Sequence, residues 1–327
     1  MKRAHLSLLV LSGLALASCS HNSSLDQVIS QKFVHKYGFD VSSKEWEERS
    51  KDGKIVEELK NGITITRAYE NGQLHGPTTY TFANSSVVEK LLVYDQGTLL
   101  KETVFDPKGM PVREDLYEFD ERNIITLWSN RGVPLSIEEY ENETLIDGKY
   151  FTPDHELEAK VENGYGYRIK RTREGLLVSR DEIKNGNMAE RTTYHPNGEI
   201  HTVSHYDDYQ LHGLQAKFSP SGIPLQELSW NHGELNGQKV IFRNGIRVAE
   251  IPYINGVKHG TEYHYDDLGN LISETTWRNN KKHGCCKSYT EDSIDSEWFH
   301  NGMAVDAHKF VLLEHREKIL AELSLDK

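Results

Sequence analysis

The sequence predicts an all-β protein, an elongated antiparallel β-meander or solenoid of about eleven hairpin repeats, with a short N-terminal helix and a C-terminal capping helix. Three observations predict it. Two kinds of Gly-containing turn recur along the chain, aromatic residues stand before them at intervals of about two dozen residues, and the short segments between turns read with strand period. In TEYHY, for example, period 2 sends Tyr263 and Tyr265 to one face and Glu262 and His264 to the other. Self-similarity at such a period marks a repeat architecture, in which each unit rests only on its neighbours.

Composition limits what the repeat can be. The 327 residues carry 38 Lys and Arg against 50 Asp and Glu, a net charge of −12, a hydrophobic fraction of 37% and a mean hydropathy of −0.64. That acidic, polar balance argues against nucleic acid and anionic lipid surfaces as partners, since both are held by Lys and Arg clusters. Downstream of the start there is no apolar run long enough for a membrane-spanning helix.

Residues 1–18 read as a signal peptide. Lys2 and Arg3 form a positive n-region, Leu6 to Leu16 an apolar stretch too short to span, and Ala15 to Cys19 a small-residue end. The tetrapeptide Leu16-Ala17-Ser18-Cys19 resembles the lipobox of bacterial lipoproteins. That resemblance implies cleavage before Cys19 and its acylation by palmitate-type chains; two or three such chains hold a protein stably at a membrane where one does not. Ser20, being other than Asp, implies the outer membrane in bacteria with two membranes. The competing reading is an ordinary signal peptide cut near a cysteine.

Residues 19–48 form the tether and an entry helix. Leu25, Val28, Ile29, Phe33 and Tyr37 fit one helical stripe, with Ser24 as its cap and Gly38 as its stop.

The array occupies residues 49–302. One class of turn places an aromatic before a Gly-containing loop, as in FDPKG at Phe105, WSNRG at Trp128, YHPNG at Tyr194 and YDDLG at Tyr265. The other is shorter, as in YENG at Tyr69, VENG at Val161 and YING at Tyr253, where Asn-Gly suits a type I′ turn with two positive φ angles. The two columns of residues preceding these turns hold eighteen aromatics in 22 positions, against about two expected from the 9% aromatic content. Arg49 opens the first column as a degenerate unit, and Arg171, Val161 and Ile183 mark a weak middle. Interleaved, the aromatic columns would make a continuous narrow core along one face. About 22 strands at roughly 4.8 Å would extend on the order of 100 Å. Solution scattering should therefore give a radius of gyration clearly above the roughly 20 Å of a compact globule of this length.

After the shorter turns come LHG at Leu74 and Leu211, LNG at Leu235, KHG at Lys258 and KKHG at Lys281. With the aromatic-x-x-Gly turns, this pattern resembles MORN repeats, in the bacterial variant of about two dozen residues. The resemblance runs from Arg49 to Gly302, with its fullest matches from Tyr194 to Gly284. It implies β-hairpin units and a role in holding proteins or membranes together, and some bacterial members are labelled antitoxin components. YDDLGNL at Tyr265 also resembles the YD-type repeats of polymorphic toxins.

The sequence offers no catalytic signature: no nucleophile elbow, phosphate loop or His-Glu-x-x-His, and GYG at Gly164 lacks the context of a dinucleotide motif. Neither an enzyme nor a cofactor is expected. The recurring His75, His212, His259 and His283 invite a metal reading, but successive copies should stand roughly 10 Å apart, and zinc needs its nitrogens at about 2.0–2.1 Å. They read as turn and packing residues, and no metal is expected. His201 and His205 are roughly 13 Å apart along one strand. Acid pairs such as Glu138-Glu139 and Asp207-Asp208 read as solvated edges.

Cys285 and Cys286 remain after Cys19 is acylated, and exported proteins meet oxidants. Three readings stand: unpaired thiols, a disulfide cross-link to another chain, or a vicinal bridge, which would distort a strand. Residues 303–327 then change to helical spacing, with Asp306 as a cap and Phe310, Leu313, Leu320 and Leu323 as an apolar stripe that covers the open end of the array.

The expected function is that of a lipid-anchored, non-enzymatic scaffold of the cell envelope, held at the membrane by Cys19 and binding an unidentified protein. A glycan or peptidoglycan binder, stacking sugars on exposed Trp128, Trp230, Trp277 and Trp298, is the alternative. An antitoxin-like inhibitor of an exported toxin is a third.

Overall fold

The computed structural model describes residues 26–49, 51–118 and 121–325. The signal segment and Cys19 lie outside the described residues. Those described form 27 strands and two helices, the strands pairing antiparallel with their neighbours in sequence. The chain divides into two compact units, residues 1–116 and 117–327.

The turns follow from their residues. In YENG, Asn71 and Gly72 take φ of 50° and 77° between the strands Thr64–Glu70 and Gln73–Thr81, the paired positive angles of a type I′ turn. In the longer FDPKG turn, Gly109 has φ of 79° and donates to Asp106 O at 2.8 Å, and the register slips by one at Phe105. The LHG-type motif has a separate purpose. Its first residue offers a carbonyl to the amide of the next short turn: Leu74 accepts from Gly97 in the first unit, and Leu211, Leu235, Lys258 and Lys282 accept from Gly233, Gly256, Asn280 and Gly302 in the second, at 2.8–3.0 Å. Successive turns are thereby stitched into a hydrogen-bonded row.

In the first unit the entry segment is a strand, not the helix expected from its stripe. Val28–His35 pairs with Gly53–Leu59, setting Phe33 against Ile55, so ladder pairing and aromatic contact outweigh local helical spacing. The helix α1 (Ser43–Glu48) lies further on, opened by a capping box in which Ser42 and Glu45 satisfy each other's backbone amides. It buries Trp46, 4% exposed, against Phe33 and Tyr69 at 5.6 and 6.0 Å.

In the second unit the core sits where the aromatic pattern fails. Strands Leu157–Glu162 and Tyr165–Arg171 pair over only two residue positions. The sheet curls there and encloses Leu145, Tyr150, Val161, Ile169 and Ile183. Val161 and Ile183, which replace aromatics in the column, are 1% and 3% exposed. The middle, weak as a repeat pattern, thus holds a buried hydrophobic cluster of this unit, in which Val161 and Ile183 take part in place of aromatics. The column aromatics do not form a continuous core either: they are half-buried, and Tyr117 is exposed. A single layer of strands leaves each ring with neighbours on one side.

The unit closes with the helix α2 (Ala307–Leu325). Asp306 Oδ1 accepts from the Lys309 amide at 2.7 Å, the predicted cap. The face turned to the strands comprises Phe310, Leu313, Glu314 and Glu317, whereas Leu320 and Leu323 are exposed. Only the first turns of the helix dock. No described helix is long and apolar enough to cross a membrane.

Candidate functional site

Three groups of side chains in the second unit stand out, and the first lies beneath the curl. Glu138, 5% exposed, takes a bidentate pair from Arg168, both contacts 2.6 Å, and accepts from the hydroxyls of Tyr150 and Tyr140 at 3.0 and 2.7 Å. Burial alone would raise its carboxyl, but the Arg168 charge and these donors outweigh burial and hold it below the usual range. Glu138 is thus not on a solvated edge. One strand pair further, Asp181 is fully buried and bound to Arg191 at 2.7 and 2.8 Å. Lys170 lies between the two pairs, and burial, with the charges of Arg168 and Arg191, pushes its amine down to about 8. Glu138 accepts four bonds and each oxygen of Asp181 accepts one from Arg191, so the cluster reads as a polar clamp on the curl.

The opposite side of the same strands carries a shallow cleft lined by Glu158, Lys160, Tyr167, Leu177, Arg180 and Tyr194. The Arg180 guanidinium lies 3.9 Å from the Tyr167 ring centre. Around it Leu157, Tyr165, Leu176 and Val178 are 43–57% exposed. Exposed Tyr and Arg beside aliphatics is the composition of protein-binding surfaces.

The third group is where α2 meets the last hairpins. Arg278 reaches Glu317 at 2.7 Å and Glu314 at 3.4 Å, and Asn301 Nδ2 donates to Glu317 at 2.9 Å. The rings of His283 and His300 lie 5.2 Å apart beneath Phe310. Among the described residues, two groups hold metal-ligand types within reach of one another: His283, His300 and Glu314, with both histidines buried, and Asp207, His212 and His232, with both outer members exposed. Neither pair joins equivalent histidines of successive copies, so the repeat spacing gives no sign of them. In both, the turn-motif histidine meets an imidazole from the neighbouring turn or strand end, with a ring separation of 4.5 Å for His212 and His232.

The other singled-out histidines go separate ways. His75 lies 3.2 Å from both Glu70 and Asp95, His259 faces Asn279, His201 packs on His195, and His205 bonds Leu214 O. Cys285 and Cys286 are free thiols on Gly284–Tyr289, half-buried and buried respectively. The tryptophans expected to be exposed are half-buried. Trp298 packs against Phe310 of α2 at 5.1 Å, Lys258 covers Trp277, and Trp230 Nε1 donates to Gln215. Among the described residues, the more exposed aromatic rings are instead Tyr37, Phe39, Tyr165 and Tyr209.

One stretch of this array has a known counterpart. Residues 258–279 match the MORN repeat variant. No curated protein matches the chain. Among solved structures, a porin-like protein from Bacteroides uniformis ATCC 8492 aligns over 84% of this chain and 92% of its own, at 14% identity and a TM-score of 0.15. The matched MORN unit spans the turn motif at Lys258, the aromatic at Tyr265 with its loop to Gly269, and Trp277. Its Lys258 carbonyl is one of those that join successive turns.

Proposed function

We propose that this protein is a lipid-anchored repeat protein of the bacterial cell envelope that binds another protein without catalysing a reaction. The observation that carries the reading is the cleft of Tyr167, Arg180, Leu177 and Tyr194, a Tyr- and Arg-rich surface held rigid from behind by the curled core and the Glu138–Arg168 clamp. Rigid aromatic anchors lose little entropy on binding, which favours such a surface as an interaction face. The MORN unit at 258–279 supports a repeat scaffold, the Leu16-Ala17-Ser18-Cys19 tetrapeptide supports the anchor, and Ser20 after it supports the outer membrane as its destination.

The test is cross-linking capture from detergent-solubilised envelopes, comparing the acylated protein with Tyr167→Ala, Arg180→Ala and Cys19→Ala. A protein partner lost in the two cleft variants supports the scaffold. Unchanged capture in both variants removes the cleft from the reading. Retention of peptidoglycan or glycan in a pull-down, sensitive to Tyr167→Ala, would favour the glycan-binding alternative.

A further inference from the structure

Two buried imidazoles and a helix carboxylate converge on one point where α2 docks. We propose that His283, His300 and Glu314 form a binding site for a divalent cation of the zinc class, with Glu317 beside it, and that the bound ion fastens α2 to the strands it covers.

The distances are those of a coordination shell. His283 Nε2 lies 3.1 Å from Glu314 Oε1, and His300 Nε2 lies 3.3 Å from the same oxygen and 3.1 Å from Glu317 Oε1. A tetrahedral zinc with bonds of about 2.0–2.1 Å has donor-to-donor edges of about 3.3–3.4 Å. The ligand set fits as well: two imidazoles and a carboxylate suit zinc-class ions, whereas calcium and magnesium take oxygen ligands.

The alignment of these atoms separates an ion site from ordinary hydrogen bonds. His300 is 6% exposed, and both its Nε2 and Glu314 Oε1 are buried without a hydrogen-bond partner, although they lie close together. A hydrogen bond needs the proton near the line joining the two atoms. Two acceptor atoms left unpaired at 3.3 Å are what a cation shared between them would satisfy.

The surroundings favour a dication. Glu314 and Glu317 bring two negative charges against one from Arg278, and Arg278 and Asn301 hold Glu317 in place as outer partners of a metal site do. Phe310 lies over both imidazoles, at 5.3 and 6.1 Å. His283 Nδ1 accepts from the Asn301 amide at 3.2 Å, which leaves the ring proton of the neutral form on Nε2. Ligation through Nε2 moves that proton to Nδ1 and displaces this long amide contact.

The full chain, stripped of metal and titrated with Zn²⁺ against a chromophoric chelator, should bind one equivalent. Substituted with Co²⁺, it should show the intense visible bands of a tetrahedral site. His300→Ala and Glu314→Gln should weaken binding by about 100-fold or more, beyond what loss of an outer partner costs, while His212→Ala leaves it unchanged. Zinc should also slow hydrogen exchange in α2. No stoichiometric binding, an octahedral cobalt spectrum, or binding lost in His212→Ala but kept in His300→Ala would overturn the site. Unaltered exchange in α2 would overturn its fastening role. Should the variants misfold, X-ray absorption on the unaltered zinc-loaded chain decides the matter: two imidazole ligands support the site, and one or none refutes it.

Discussion

The clamp beneath the curl concentrates the strongest residue-level interactions. Removing one partner of a buried, fully paired ion pair leaves an uncompensated charge, so Glu138→Gln should destabilise the second unit by about 3–5 kcal/mol in urea unfolding. Its acid dependence has a definite sign. The folded carboxyl is held below its ordinary value, so its stabilisation is present above the unfolded value near 4.5 and is lost as pH falls through the lower folded one. Lys170 behaves oppositely. With its amine at about 8 in the fold and 10.5 for a free lysine, the unfolded chain holds the extra proton between those two pH values, and stability rises with pH across that window. Lys170→Met should melt higher at neutral pH and should lose that alkaline rise, which thermal melts of the two proteins at matched pH will show. None of this was legible in the sequence. Glu138-Glu139 reads as a solvated pair because nothing local reveals that Arg168, thirty residues later, will reach back to it.

Elements were legible to differing degrees. The short turns could be read directly, since Asn-Gly fixes positive φ wherever it stands; Gly256→Ala, at φ of 77° with open space around it, should cost only about 1–2 kcal/mol of backbone strain. The helix α2 and its Asp306 cap were legible for the same local reason. Deleting residues 304–327 should lower the melting temperature and the solubility, because Trp298, His283 and His300 lose their cover. An unchanged, monomeric truncation would mean that α2 serves a partner instead. The entry segment is ambiguous in the sequence because Val28, Ile29 and Phe33 satisfy helical spacing and strand pairing alike, and only the partner strand Gly53–Leu59 decides between them. The capping box at Ser42 and Glu45 was the signal that placed the actual helix.

For the whole molecule, the proposed membrane anchor rests on residues 1–19 and has a direct test in cells. Cys19→Ala should abolish labelling by a palmitate analogue and move the protein from the membrane to the soluble fraction. Labelling that survives would remove the anchor. Cys285, half-buried beside the buried Cys286, is the more accessible thiol for a cross-link, so non-reducing gels of native membranes should lose any dimer band in Cys285→Ala and keep it in Cys286→Ala.

The sequence by itself determined the repeat, its turns, the antiparallel strands and the closing helix, because turn chemistry and strand period are local properties that each unit states again. The tertiary structure alone decided where the sheet curls, why Val161 and Ile183 replace aromatics there, and which charges become buried. It also decided that turn-motif histidines meet imidazoles from adjoining turns and strand ends rather than their own copies. Those outcomes depend on contacts between residues far apart in the chain, set by the register of many strands, which no single repeat encodes.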